Sequence, residues 1–248
     1  MNIILVHGAW HTAACWEALQ NKLKALYTIY TINMPGRVFE KTTEYKRINL
    51  IDYVNAIEDC LNQIKEPAVL IGHSLAGLTI SQIAEKFPDK IQQLIYISAF
   101  IPTSGETMFD ITAKIKTLGV SSEITTYPKE NRIDISPSER TKSLFYNACS
   151  DLIASTALDS LVSEPLKAFT TPVKLSTSGF GKVHKTYIKC LEDRALLPVD
   201  QNEMIEKTNI SQIFEIRTDH SPFISQPQIL ANIIKQAILS AVKDDKPN

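Results

Sequence analysis

Apolar positions along this chain gather into short runs separated by stretches of mixed polarity. Residues 2–6, 27–32, 68–71, 91–97, 185–189 and 211–216 are dense in Ile, Val, Leu and Tyr, and each predicts a buried strand. Between them, 13–24, 50–64, 75–87, 200–207 and 227–242 carry apolar residues at helical spacing. In the second of these, Ile51, Val54, Ile57, Leu61 and Ile64 read as one face. Alternating strand and helix predict an α/β fold with a mainly parallel sheet, because parallel neighbours need crossovers and the crossover helices cover both faces.

The alternation stops after Ala99. From 103 to about 182 the chain is polar, helical in patches such as 138–155, with one candidate strand at 123–127. A long excursion that returns to strand and helix, with no linker-like flank, predicts a helical cap inserted into a single domain spanning 1–248. The expected core is 1–102 and 183–242, and the expected cap 103–182. The tail from Lys243, KDDKPN, is expected to be disordered.

With 248 residues, 44% of them hydrophobic, the chain can bury a core that needs neither disulfide nor metal as a staple. Its 26 basic and 27 acidic side chains are scattered and leave a net charge of −1, which offers no footprint for nucleic acid or an anionic membrane. No apolar run approaches the roughly 18 residues of a span, and the first strand leads straight into His7 and Gly8 without a cationic leader. A soluble, cytoplasmic protein is expected, monomer or homodimer, with no metal or organic cofactor. Cys15, Cys60, Cys149 and Cys190 lie far apart with no CxxC pair, so they are expected to be free thiols; Cys15 is the one to follow.

The strongest chemical signal is AVLIGHSLAGLT at 68–79, where a buried strand runs through a tight turn into a helix. Such a turn lifts the Ser74 hydroxyl clear of the sheet at a helix N-terminus, and small residues two positions either side let strand and helix approach. Gly72 fits; Ala76 adds a methyl group where glycine is usual, which either is absorbed by a slight helix displacement or overpacks the turn and lowers activity. A serine hydroxyl needs a base to take its proton, and that base needs an acid to fix its tautomer. His220, in RTDHSPFIS after the last strand, is the candidate base. Asp193, in YIKCLEDRALLP after the preceding strand, is the candidate acid, preferred to its neighbour Glu192 and to Asp219, which adjoins His220 too closely to reach its ring.

Two backbone N–H groups should hold the developing oxyanion, and the natural donors are Leu75, just after the nucleophile, and Ala9, in the loop after the first strand. Trp10 and Phe100 are expected to line an apolar substrate pocket, Trp16 is open between pocket and packing, and His11 between pocket and surface. His7 and His73 read as structural, and His184 as a surface or strand-end residue.

Four stretches together, LVHGAWHTAACWEAL, LIGHSLAGLTIS, YIKCLEDRALLPVDQ and TDHSPFISQP, resemble the α/β-hydrolase superfamily, and within it the branch of plant methylesterases, hydroxynitrile lyases and bacterial esterase relatives. The resemblance runs over nearly the whole chain and is weakest at 103–182. It implies an α/β-hydrolase fold, a Ser74–Asp193–His220 triad, Ala9 and Leu75 as the oxyanion hole, and a small-molecule ester substrate. Lyases of this branch have a threonine where this chain has Gly8 and a lysine where it has Ser221. The resemblance therefore implies ester hydrolysis, with a hydroxynitrile-lyase-like C–C lyase or a non-catalytic small-ligand receptor as alternatives.

Overall fold

The computed structural model describes residues 1–36, 43–115 and 119–244. Six strands, β1 (Asn2–Val6), β2 (Thr28–Ile32), β3 (Ala68–His73), β4 (Ile91–Ile97), and further along β8 (His184–Cys190) and β9 (Gln212–Ile216), form one parallel sheet in the order β2-β1-β3-β4-β8-β9. Between β4 and β8 the chain adds β5 (Ile124–Tyr127), β6 (Arg132–Ile135) and β7 (Glu164–Pro165), which pair antiparallel in a separate three-stranded sheet. The helices are α1 (Glu17–Leu23), α2 (Leu50–Asn62), α3 (Ala76–Lys86), α4 (Met108–Thr112), α5 (Glu139–Phe145), α6 (Asp151–Asp159), α7 (Lys167–Thr170), α8 (Pro198–Glu206), α9 (Pro222–Ser225) and α10 (Pro227–Asp244).

The apolar runs are continuous because both faces of the large sheet are covered. Ile4, Val6, Leu70, Tyr96 and Tyr187 pack on one face against Leu50, Val54 and Ile57 of α2 and Leu78 and Ile83 of α3. Their strand neighbours Ile3, Leu5, Val69, Ile71, Ile95 and Ile188 pack on the other against Leu19 and Leu23 of α1 and Leu230, Ile234 and Ile238 of α10. Each such side chain, fully withdrawn from water, contributes about 1.5–3 kcal/mol. The strand order reverses between β1 and β3, and the C-terminal ends flanking such a reversal are where open parallel sheets bind ligands.

Several expectations need correction. The stripe on α2 is Leu50, Tyr53, Val54, Ile57 and Leu61, so Val54, Ile57 and Leu61 lie on it as the spacing predicts, while Ile51 is 47% exposed and Leu50 and Tyr53 take its place. Residues 138–155 form two helices, α5 and α6, broken where Ala148 N–H turns to Asp219 Oδ2 at 3.0 Å. Three strands stand between β4 and β8 where one was expected; β6 and β7 are too short to display a period, and β7 contains a proline. Helix α10 runs on to Asp244, past the expected start of a disordered tail, whose residues 245–248 lie outside the described ones. No helix among the described residues is long and apolar enough to cross a membrane.

Candidate active site

The elbow at Ser74 is built from backbone. Ser74 has φ 53°, in the left-handed region. Its N–H donates to Ile97 O at 3.4 Å, and its carbonyl accepts from Gly77 N and Phe100 N, each at 3.1 Å. The closest approach falls on Gly77, not on residue 76: a Cβ built on Gly77 would lie 1.9 Å from Phe100 O. Ala76 is buried in this turn, and the glycine the turn requires is one residue further on, a signal present in the LAG triplet and passed over in the reading above.

Asp193 lies on the loop after β8, buried, with every acceptor position used. Oδ1 accepts from Ala195 N and Leu196 N, each at 2.8 Å; Oδ2 accepts from the Ser98 hydroxyl and from His220 Nδ1 at 2.7 Å. Such charge-assisted bonds fix the ring with Nδ1–H toward the acid and leave Nε2 for other work. Ser98, a residue that sequence reading missed, is itself left-handed at φ 39°, and its hydroxyl sits 3.5 Å from His220 Nδ1. Glu192 turns outward to Arg217 at 3.5 Å. Asp219 binds Ser221 N and the Ser225 hydroxyl, and burial, outweighing these bonds, pushes its carboxyl up from the usual range.

Ser74 and His220 open onto one cavity. Ala9, Trp10 and Phe100 line it from the loops after β1 and β4, and Met108, Phe109, Ile124, Phe145 and Phe169 line it from the chain between β4 and β8. Phe145, another residue missed in the sequence, lies 5.4 Å from His220 between ring centroids. Trp16 lies elsewhere, fully buried on the opposite face of the sheet against Phe223, so packing is its role. The Ser74 hydroxyl makes no hydrogen bond among the described residues; contacts of this kind often close only when substrate is bound.

Three histidines surround the site as fixtures. His73 Nε2 donates to His220 O at 2.8 Å, and burial, then the neighbouring His220, hold His73 well below its ordinary value, so it stays neutral. His7 Nδ1 bonds Gly8 O at 2.9 Å and its Nε2 accepts from Met34 N at 3.1 Å. His11, left open in the sequence, is buried: Nδ1 bonds Ala9 O at 2.9 Å and Nε2 meets the Tyr146 hydroxyl at 2.9 Å. His184 begins β8, at the far end of the sheet. The Cys15 thiol is pushed well up by burial and keeps its proton, so it carries no nucleophile.

The alpha/beta hydrolase family model matches residues 3–233. Putative methylesterase 14, chloroplastic, of Arabidopsis thaliana is 28% identical over 248 residues, covering 93% of this chain and 70% of the relative. Methylesterase 2 of the same plant is 26% identical over 247 residues, covering 93% of each. Among solved structures, a pyrethroid hydrolase from Sphingobium faniae JZ-2 superposes with a TM-score of 0.84 at 23% identity, over 95% of this chain and 96% of the other.

Proposed function

We propose that this chain, which belongs to the alpha/beta hydrolase family, is a serine carboxylic-ester hydrolase acting through an acyl-enzyme on Ser74. The observation that carries the reading is the convergence of Ser74, in a strained turn, and His220, held by Asp193, on one apolar cavity. In the proposed cycle His220 Nε2 takes the Ser74 proton as Oγ adds to the ester carbonyl. Ala9 N–H and Leu75 N–H receive the oxyanion. Collapse expels the alcohol, which leaves with the proton from His220, and His220 then deprotonates the water that releases the acid. Asp193 holds Nδ1–H and stabilises the imidazolium.

The cavity favours a neutral ester of small or medium size, since among the described residues its lining carries no ionisable side chain apart from His220 to hold a charged group. Cyanohydrin cleavage is disfavoured at Gly8: even a bare Cβ there would lie 2.7 Å from His73 Nδ1 and 2.9 Å from Ser74 Cβ, which leaves no room for a threonine. The test is hydrolysis of a panel of aryl acetates and methyl esters by wild type and Ser74→Ala. Wild type should turn over, and the variant should lose on the order of 10⁴-fold or more in kcat. Undiminished hydrolysis by Ser74→Ala would overturn the reading.

A further inference from the structure

The residue after Ala9 is in a conformation it should avoid. Trp10 has φ 61°, and a bulky side chain in the left-handed region persists only where its surroundings over-determine it. Those surroundings come from the far side of the chain. Trp10 N–H donates to Glu164 Oε2 at 2.7 Å, Trp10 O accepts from Val162 N at 2.8 Å, and the indole Nε1 donates to Ile133 O at 3.2 Å. Ile133 and Glu164 are register partners across β6 and β7, so one rung of the small sheet grips both the backbone and the ring of Trp10. Glu164 is fully buried, and its Oε1 accepts from the Tyr53 hydroxyl of α2.

The two peptide groups flanking Ala9 carry four polar atoms, and three have partners. His7 Nδ1 holds Gly8 O at 2.9 Å, His11 Nδ1 holds Ala9 O at 2.9 Å, and Glu164 holds Trp10 N–H. The fourth, Ala9 N–H, has no acceptor among the described residues, and Ala9 lines the cavity beside Ser74. Because each peptide unit is planar, His7 on Gly8 O sets the direction of Ala9 N–H, while His11 and Glu164 hold both atoms of the unit that follows.

We propose that Glu164 is a positioning residue for the oxyanion loop: by accepting Trp10 N–H it holds Trp10 at φ 61° and so fixes the backbone path on which Ala9 N–H meets the reacting carbonyl. The inference rests on the reading of Ala9 as an oxyanion donor. Without Glu164, turning the Ala9–Trp10 peptide by about 180° would carry Trp10 from φ 61° to about −120°, an ordinary extended value. That turn relieves the strain and carries Ala9 O off His11 toward the place Trp10 N–H now occupies, so that the backbone following Ala9 N–H is no longer held. The small sheet of the inserted segment thus serves the chemistry as well as the pocket wall.

The experiment compares Glu164→Ala, Glu164→Asp and Glu164→Gln with wild type on a neutral aryl ester, reading kcat and KM separately, together with inhibition by an alkylboronic acid that forms a tetrahedral adduct on serine. Ala removes the acceptor and Asp withdraws it by one methylene, so both should lower kcat about 10- to 100-fold and weaken the boronate by the same factor, with KM within about threefold. Gln, whose amide oxygen can still accept from Trp10 N–H, should stay within about threefold of wild type in kcat. A general loss of packing would not reproduce this split between kcat and KM or the rescue by Gln. A folded Ala or Asp protein with wild-type kcat, or a Gln protein that falls as far as Ala, overturns the proposal. If Ala does not fold, the Asp and Gln pair decides. Ser74→Ala is the control: a wild type without turnover sinks the ester reading and this inference together, whereas serine-dependent turnover indifferent to Glu164 sinks this inference alone.

Discussion

The two amides proposed to hold the oxyanion are fixed by different means. Leu75 follows an elbow made from neighbouring backbone, with Ser74 N–H on Ile97 O and Ser74 O taking Gly77 N–H and Phe100 N–H. Ala9 sits in a loop held by side chains, His7 and His11 from within it and Glu164 from 154 residues beyond Trp10. The first arrangement follows from strand, turn and helix in one short stretch. The second exists only once the segment between β4 and β8 has folded onto the sheet, so the loop's geometry depends on that segment's packing.

Breaking the backbone-built side should have the larger effect. Gly77→Ala sets a Cβ 1.9 Å from Phe100 O, a backbone atom with little freedom to retreat. The protein should lose on the order of 3 kcal/mol or more, read as a lowered denaturation midpoint, and its hydrolytic activity with it. A variant with wild-type stability and activity would show that α3 shifts freely against the loop after β4.

A smaller change probes the acid shared by both halves. Ser98→Ala removes one of four donors from Asp193 while leaving the two backbone amides and His220 in place. Loss of one hydrogen bond to a charged group, about 1.5 kcal/mol, should lower kcat about tenfold with KM unchanged. An unchanged kcat would mean that three donors suffice.

The smallest effect lies away from both loops and serves as their control. Lys185 is buried in β8, donates to Val183 O at 2.8 Å, and burial pushes its ammonium down to about 8 from its ordinary 10.5. Below pH 8 folded and unfolded chains both hold the proton, so folding bears the full penalty of burying the charge. Between pH 8 and 10.5 the unfolded chain binds more protons, and stability rises with pH. Lys185→Met should therefore be more stable than wild type at pH 7 by about 1–2 kcal/mol, with the gap closing above pH 9 and kcat unaffected at either. Denaturant midpoints across that range measure it, and a gap constant with pH would contradict it.

The same contrast explains what could be read from the sequence. The large sheet was legible because its strands are runs of five to seven residues, the central four, β1, β3, β4 and β8, largely buried on both faces, and Ser74, Asp193 and His220 could be picked out from loops that follow such strands. The small sheet was not, since four-residue β6 and two-residue β7 carry no period. Ser98 and Glu164 escaped for a different reason. Neither residue belongs to a motif that marks it, and their meaning lies in partners 95 and 154 residues away. Gly77 was visible as a residue, but its necessity comes from Phe100, brought beside it only by the packing of the loop after β4 on α3.

The central claim is that Ser74, activated by His220, is the nucleophile. Intact-mass analysis after exposure to an excess of an aryl phosphonate ester tests it without knowledge of the natural substrate. The account predicts one equivalent of phosphonyl adduct, mapped to Ser74, absent in Ser74→Ala and formed far more slowly in His220→Ala. A wild-type protein that stays unmodified, or an adduct on any other residue, would contradict it.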